Sequence, residues 1–160
     1  MTGALRSFQG LLDRLNAGMA VGSALAILAA GLVLTWEVIG RYLLSIPSDW
    51  QDELSTFLLI GATFLSAAWT QARRGHVAID ALAEILPKGA DHFRRFAADL
   101  LSMLFCGYFT FKAAQLLHEA WDEGQTTPSS WGAPLWIPYG CMTIGMGLLT
   151  LQLLAQVLRR

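Results

Sequence analysis

The side chains able to do chemistry are few and scattered. Histidines stand at 76, 92 and 118 and cysteines at 106 and 141, and none shares with another, or with Asp or Glu, the spacing that holds a metal ion. There is no CxxC pair. GxSxG, HExxH and phosphate-cradling glycine loops are also absent. Cys106 and Cys141 each lie within a long apolar stretch, where a free cysteine behaves as a small core residue. His76 follows Arg73 and Arg74 directly. It could relay protons near neutral pH, but no second titratable group continues a path into the neighbouring apolar stretch, so anchoring a helix end is the expected role. Two acidic groupings remain. Glu37 and Arg41 are four apart and can pair along a helix. Asp49, Asp52 and Glu53 follow Pro47, and Ser48 with Gln51 has the spacing of a capping box. That places the three carboxylates in a first helical turn, where the positive end of the helix dipole favours them.

The elements that carry these residues are set by hydrophobicity. Of the 160 residues 54% are hydrophobic and 14% charged, more apolar and less charged than a soluble domain. Charge is missing from Ala17 to Trp36, from Leu54 to Ala72 and from Gly124 to Leu158, each long enough to cross a hydrocarbon layer that needs about 20 helical residues. A fourth stretch, approached from Phe96 and running to Leu117, is interrupted by Lys112. A central lysine costs about 2.5 to 3.5 kcal/mol, roughly what six Leu and Phe side chains return; near a span end it costs less because the side chain reaches the headgroups. The prediction is an all-α integral membrane protein with transmembrane helices over 17–44, 48–72, 96–117 and 134–158. Ala24-Leu25-Ala26 has the form of a signal-peptidase site but lies in the middle of its apolar run, so the first stretch is expected to be a retained helix.

Positive charge orients the helices. Nine of the 11 Lys and Arg residues precede helix one, lie between helices two and three, or follow helix four, so both termini are expected in the cytoplasm. Trp36, Trp50, Trp69, Trp121, Trp131 and Trp136 all fall near span ends, as expected of interfacial anchors. Five of them belong to the outer side. Between helices two and three, Ile79, Leu82 and Leu86 recur at helical spacing among charged residues, which predicts an amphipathic helix over 76–86 on the inner surface. The connection from His118 to Ile137 is rich in Gly and Pro and is expected to be largely irregular. On helix one, Gly18, Gly22, Ala26 and Ala30 repeat every fourth position, a small face suited to close helix packing with a partner in this chain or another. A formal net charge of −1 and the lack of a basic stripe argue against nucleic acid.

The ordered pieces Trp50-Gln51-Asp52-Glu53, Gly61-Ala62, Arg74-Gly75-His76-Val77-Ala78-Ile79-Asp80, Leu86-Pro87 and Trp136-Ile137-Pro138 resemble the small membrane subunit of tripartite ATP-independent periplasmic (TRAP) transporters, the DctQ type. The resemblance covers nearly the whole chain. It implies a bacterial inner-membrane scaffold that binds no cofactor and braces a large multi-span subunit, the sodium-coupled importer of an organic acid. A periplasmic binding protein would deliver that cargo. Trp50, Asp52, Glu53, Arg74, His76 and Asp80, which match the family's recurring positions, would then be interface or architectural residues. Rival readings are a small four-helix redox or quinone-handling protein and a self-associating channel.

Overall fold

The computed structural model describes residues 2–43, 50–73 and 88–157, with side chains for 10–43, 50–73, 94 and 96–157. Four helices account for nearly all of it: α1 over Thr2–Leu43, α2 over Trp50–Ala72, α3 over Lys88–Asp122 and α4 over Trp136–Val157. All four are long and apolar enough to cross a membrane. The described residues form no strand, only a single bridge between Thr126 and Pro134. The predicted amphipathic segment 76–86 and the proposed cap at Ser48 lie outside the described residues.

The helices stand in a row rather than a closed bundle. α1 packs on α2, α2 on α4 and α4 on α3, while α1 meets α4 only slightly. The two central helices are therefore the more enclosed, and each edge helix buries one narrow seam. On α1 the seam holds Asn16, Ser23, Ala30 and Glu37 at every seventh position, interleaved with Leu12, Met19, Ala26, Val33 and Gly40 at the same interval. On α3 it holds Asp99, Cys106, Ala113 and Ala120, interleaved with Met103, Thr110 and Leu117. A seven-residue repeat is the spacing of left-handed coiled-coil packing. The remaining faces of α1 and α3 expose large apolar side chains, among them Leu28, Leu32, Leu101 and Phe105, which suits lipid or a membrane partner.

Small residues set the closest approaches. Gly145 of α4 lies on the backbone of α2: a Cβ added there would fall on the Phe64 carbonyl and within 2.9 Å of the Phe64 Cβ. Between α3 and α4, Gly107 faces Thr150 and Gly147 faces Thr110, and the two hydroxyls lie 3.3 Å apart. Cys106, Met146 and Leu153 form the buried centre, flanked by Phe64, Met103 and Phe109. Phe64 stacks on Phe109 with ring centroids 6.4 Å apart.

The connection from α3 to α4 is more ordered than its Gly and Pro content predicts. Gln125 N–H donates to Ala120 C=O at 3.0 Å and Gly124 N–H to Trp121 C=O at 3.4 Å, the Schellman pattern that ends a helix, with Gly124 at a φ of 61°. The chain then turns back on itself. Thr127 N–H donates to Ala133 C=O and Leu135 N–H to Gln125 C=O. Ser129 Oγ accepts from the N–H groups of Trp131 and Gly132. Gly and Pro mark a tight hairpin here because left-handed turns need glycine.

Candidate functional site

One end of the row gathers the acids, the aromatic residues and the hairpin. Glu37 occupies the seven-residue seam of α1, and this turns its side chain towards α2 and leaves it 7% exposed. Arg41, one turn on, donates from Nη2 to Glu37 Oε1. The expected pair is present. The guanidinium, itself half-exposed, also lies 3.8 Å from Asp52 Oδ2 on the first turn of α2, so it links the end of α1 to the start of α2. Gln51, beside Asp52, is buried.

Glu53 has a further task. Its Oε2 accepts the Thr127 hydroxyl at 2.9 Å, and Thr127 Oγ1 in turn accepts the Ala133 N–H at 2.9 Å. One carboxylate thus anchors the hairpin to the mouth of α2. Asp52 and Glu53 occupy the first turn as expected, where they face the positive end of the helix dipole.

Trp36, Trp50, Trp121, Trp131 and Trp136 ring this end with exposed side chains. Trp121 and Trp136 meet edge to face with centroids 5.3 Å apart. Trp69 lies near the opposite end of α2, with the Arg73 guanidinium 4.7 Å above its ring. Rings distributed in this way mark two membrane boundaries.

At that opposite end, sequence reasoning missed a set of amides. Asn16 Nδ2 donates to Gln152 Oε1 at 3.3 Å, which ties α1 to α4. Gln71 Nε2 donates to Gln156 Oε1 at 3.0 Å, and Gln156 Nε2 donates to the Gln71 carbonyl at 3.1 Å. Their signal was present: four amides within or beside apolar runs, where each needs a partner because lipid offers none.

The glycine stripe on α1 divides. Ala30 is buried and Ala26 half-buried on the seam, but Gly18 and Gly22 are exposed and a Cβ at either would meet nothing within 4 Å. Fourfold spacing drifts around the helix, while the seam follows 3.5 residues per turn. Gly22 lines the edge of an apolar trough of about 330 Å³ between α1, α2 and α4. A second cleft, of about 460 Å³, opens between α2 and α4 beneath Asp52, Glu53 and Thr127. Arg74, His76 and Asp80 lie outside the described residues. Among the described residues no three of His, Cys, Asp and Glu gather to hold a metal ion.

Comparison with known proteins resolves the choice among the readings. Residues 30–160 match the family described as tripartite ATP-independent periplasmic transporters, DctQ component. The chain is also 22% identical, over 151 residues, to the ectoine TRAP transporter small permease protein TeaB of Halomonas elongata. That alignment covers 91% of this chain and 76% of the relative. Both matches are to transporter components and not to enzymes, which removes the redox rival. Together with four membrane-length helices they make this a multi-pass inner-membrane protein. With most of its length matched by the family, the chain belongs to the DctQ components of TRAP transporters.

Proposed function

We propose that the chain is the bracing subunit of a sodium-coupled TRAP importer. It stands beside a large multi-span subunit that carries an organic acid delivered by a periplasmic binding protein. The single observation that carries this reading is the open row: α1 and α3 each commit one narrow seam to their neighbour and leave the rest of a long apolar surface uncovered. A row of this shape offers a broad wall for another membrane protein. Sodium coupling belongs to the large subunit in this reading.

The termini and the Arg73 end are assigned to the cytoplasm, on the strength of the lysine and arginine distribution. The tryptophan-rich end then faces the periplasm, where Trp50, Asp52 and Glu53 stand nearest a docking binding protein. Arg74, His76 and Asp80 are assigned to the cytoplasmic contact with the large subunit. The Gly18 and Gly22 face of α1, open within this chain, is assigned to a helix of that subunit, since small residues let backbones approach in lipid. The relative's name specifies ectoine as the cargo of its transporter; the organic-acid class proposed here rests on the family resemblance.

Reconstituting the large subunit and its binding protein in vesicles, with and without this chain, tests the reading. Sodium-driven uptake should require the chain, and full uptake by the large subunit alone would refute the bracing role. Single-cysteine labelling at Gly10 and at Ser130, in a background lacking Cys106 and Cys141, tests the orientation. Only Ser130 should react with an impermeant reagent added to intact cells.

A further inference from the structure

The cleft between α2 and α4 has the dimensions of a groove for one acyl chain, with charge at its mouth. It opens beneath Asp52, Glu53 and Thr127 and continues along Phe57, Ile60 and Phe64 on one wall and Met142 on the other. From Asp52 to Phe64 it follows about 18 Å of helix, close to the depth of one leaflet of a hydrocarbon core about 30 Å thick. Its volume of about 460 Å³ lies in the range of sites that enclose small molecules. The exposed tryptophans on the same end place the mouth at headgroup level.

Charge selects the headgroup. The mouth carries two carboxylates. Asp52 is exposed, and Glu53 is held in place by the Thr127 hydroxyl. An anionic glycerol headgroup would meet repulsion there, whereas a primary ammonium can donate hydrogen bonds to both carboxylates. Arg41 is already engaged by Glu37 and Asp52 and is not among the residues that line the cleft, so the mouth recognises the ammonium and not the phosphate.

We propose that this cleft binds one zwitterionic aminophospholipid from the leaflet on the tryptophan-rich side. Its acyl chain lies along Phe57, Ile60, Phe64 and Met142, and its ammonium lies against Asp52 and Glu53. The inference goes beyond the bracing role and stands whether or not that role does. In a transporter subunit such a lipid would fill a gap that the α2–α4 seam leaves open.

The full chain, purified and delipidated in mild detergent, should be given phosphatidylethanolamine or phosphatidylglycerol with identical acyl chains, and occupancy read by native mass spectrometry. Phosphatidylethanolamine should bind about three- to tenfold better, the scale of one or two partly exposed charge contacts. Asp52→Asn with Glu53→Gln should bring the two lipids to near parity. Both substitutions keep an acceptor, including the one for Thr127, so folding is spared. Ile60→Trp, checked for an unchanged size-exclusion profile, should reduce both lipids by filling the cleft. Equal or better binding of phosphatidylglycerol to the unmodified chain would overturn the proposal, as would full occupancy in Ile60→Trp. A photo-crosslinker at residue 60 in the assembled transporter should label lipid; an adduct to a protein segment instead would also overturn it.

Discussion

Gly145→Ala is the smallest change that should disturb the centre of this protein. The added methyl would fall on the Phe64 carbonyl oxygen and lie 2.9 Å from the Phe64 Cβ, so α2 and α4 must separate by about 1 Å to restore ordinary contact. A gap of 0.5 to 1 Å already forfeits roughly a quarter to a half of each dispersion contact along the seam. Overpacking of this kind costs about 1–3 kcal/mol, against which the better helix propensity of alanine returns up to about 1 kcal/mol. The net expectation is a loss of about 1–2 kcal/mol. Gly147→Ala is the matched control, because its Cβ would sit 3.7 Å from Thr150's neighbour across the seam, the Thr110 methyl, at ordinary contact; it should be neutral or slightly stabilising. Helicity followed through titration with a denaturing detergent in mixed micelles reads both. Truncating Phe64 to Ala should not rescue Gly145→Ala, since the obstacle is main chain and Cβ. A Gly145→Ala variant as stable as the unmodified chain, or a rescued double variant, would refute this account of the crossing.

Three further outcomes follow from the hydrogen bonds and turns. Asn16→Leu or Gln152→Leu alone strands an amide in an apolar seam, and the double variant should be less destabilised than the two singles sum to. The coupling should be about 0.6 kcal/mol and not above roughly 1.7, read by the same titration. Gly124→Ala forces a side chain into the left-handed region at the end of α3 and should cost about 1–2 kcal/mol, with faster amide exchange confined first to residues 120–135. Arg41→Ala withdraws the cation from a nearly buried Glu37 and should cost about 1–3 kcal/mol, whereas Asp52→Asn, on an exposed carboxylate, should stay within about 0.5 kcal/mol; equal effects would show that burial of Glu37 does not govern the pair.

Some of this protein was determined by sequence alone. Four apolar runs must be helices, because in lipid every backbone N–H and C=O needs an internal partner. Glu37 and Arg41 were readable as a pair because helical spacing by itself brings them together. Asp52 and Glu53 were readable as first-turn residues because Pro47 bounds the helix that follows, and the tryptophans as interface markers because indole is half apolar and half polar. Tertiary structure decided which faces meet. In water a buried stripe stands out against a polar one, but in lipid both the seam and the outward face are apolar. Leu12, Met19 and Val33 on the α1 seam therefore look no different in sequence from Leu28 and Leu32 outside it. The fourfold glycine stripe drew attention to Gly18 and Gly22, which are exposed off the seam, and hid the sevenfold set that runs from Ala30 to Asn16, Ser23 and Glu37. The order of the row depended in the same way on where a backbone could come close, at Gly145 against Phe64. The amide partners also waited on the fold: Gln152 lies 136 positions from Asn16, and only packing brings them within reach.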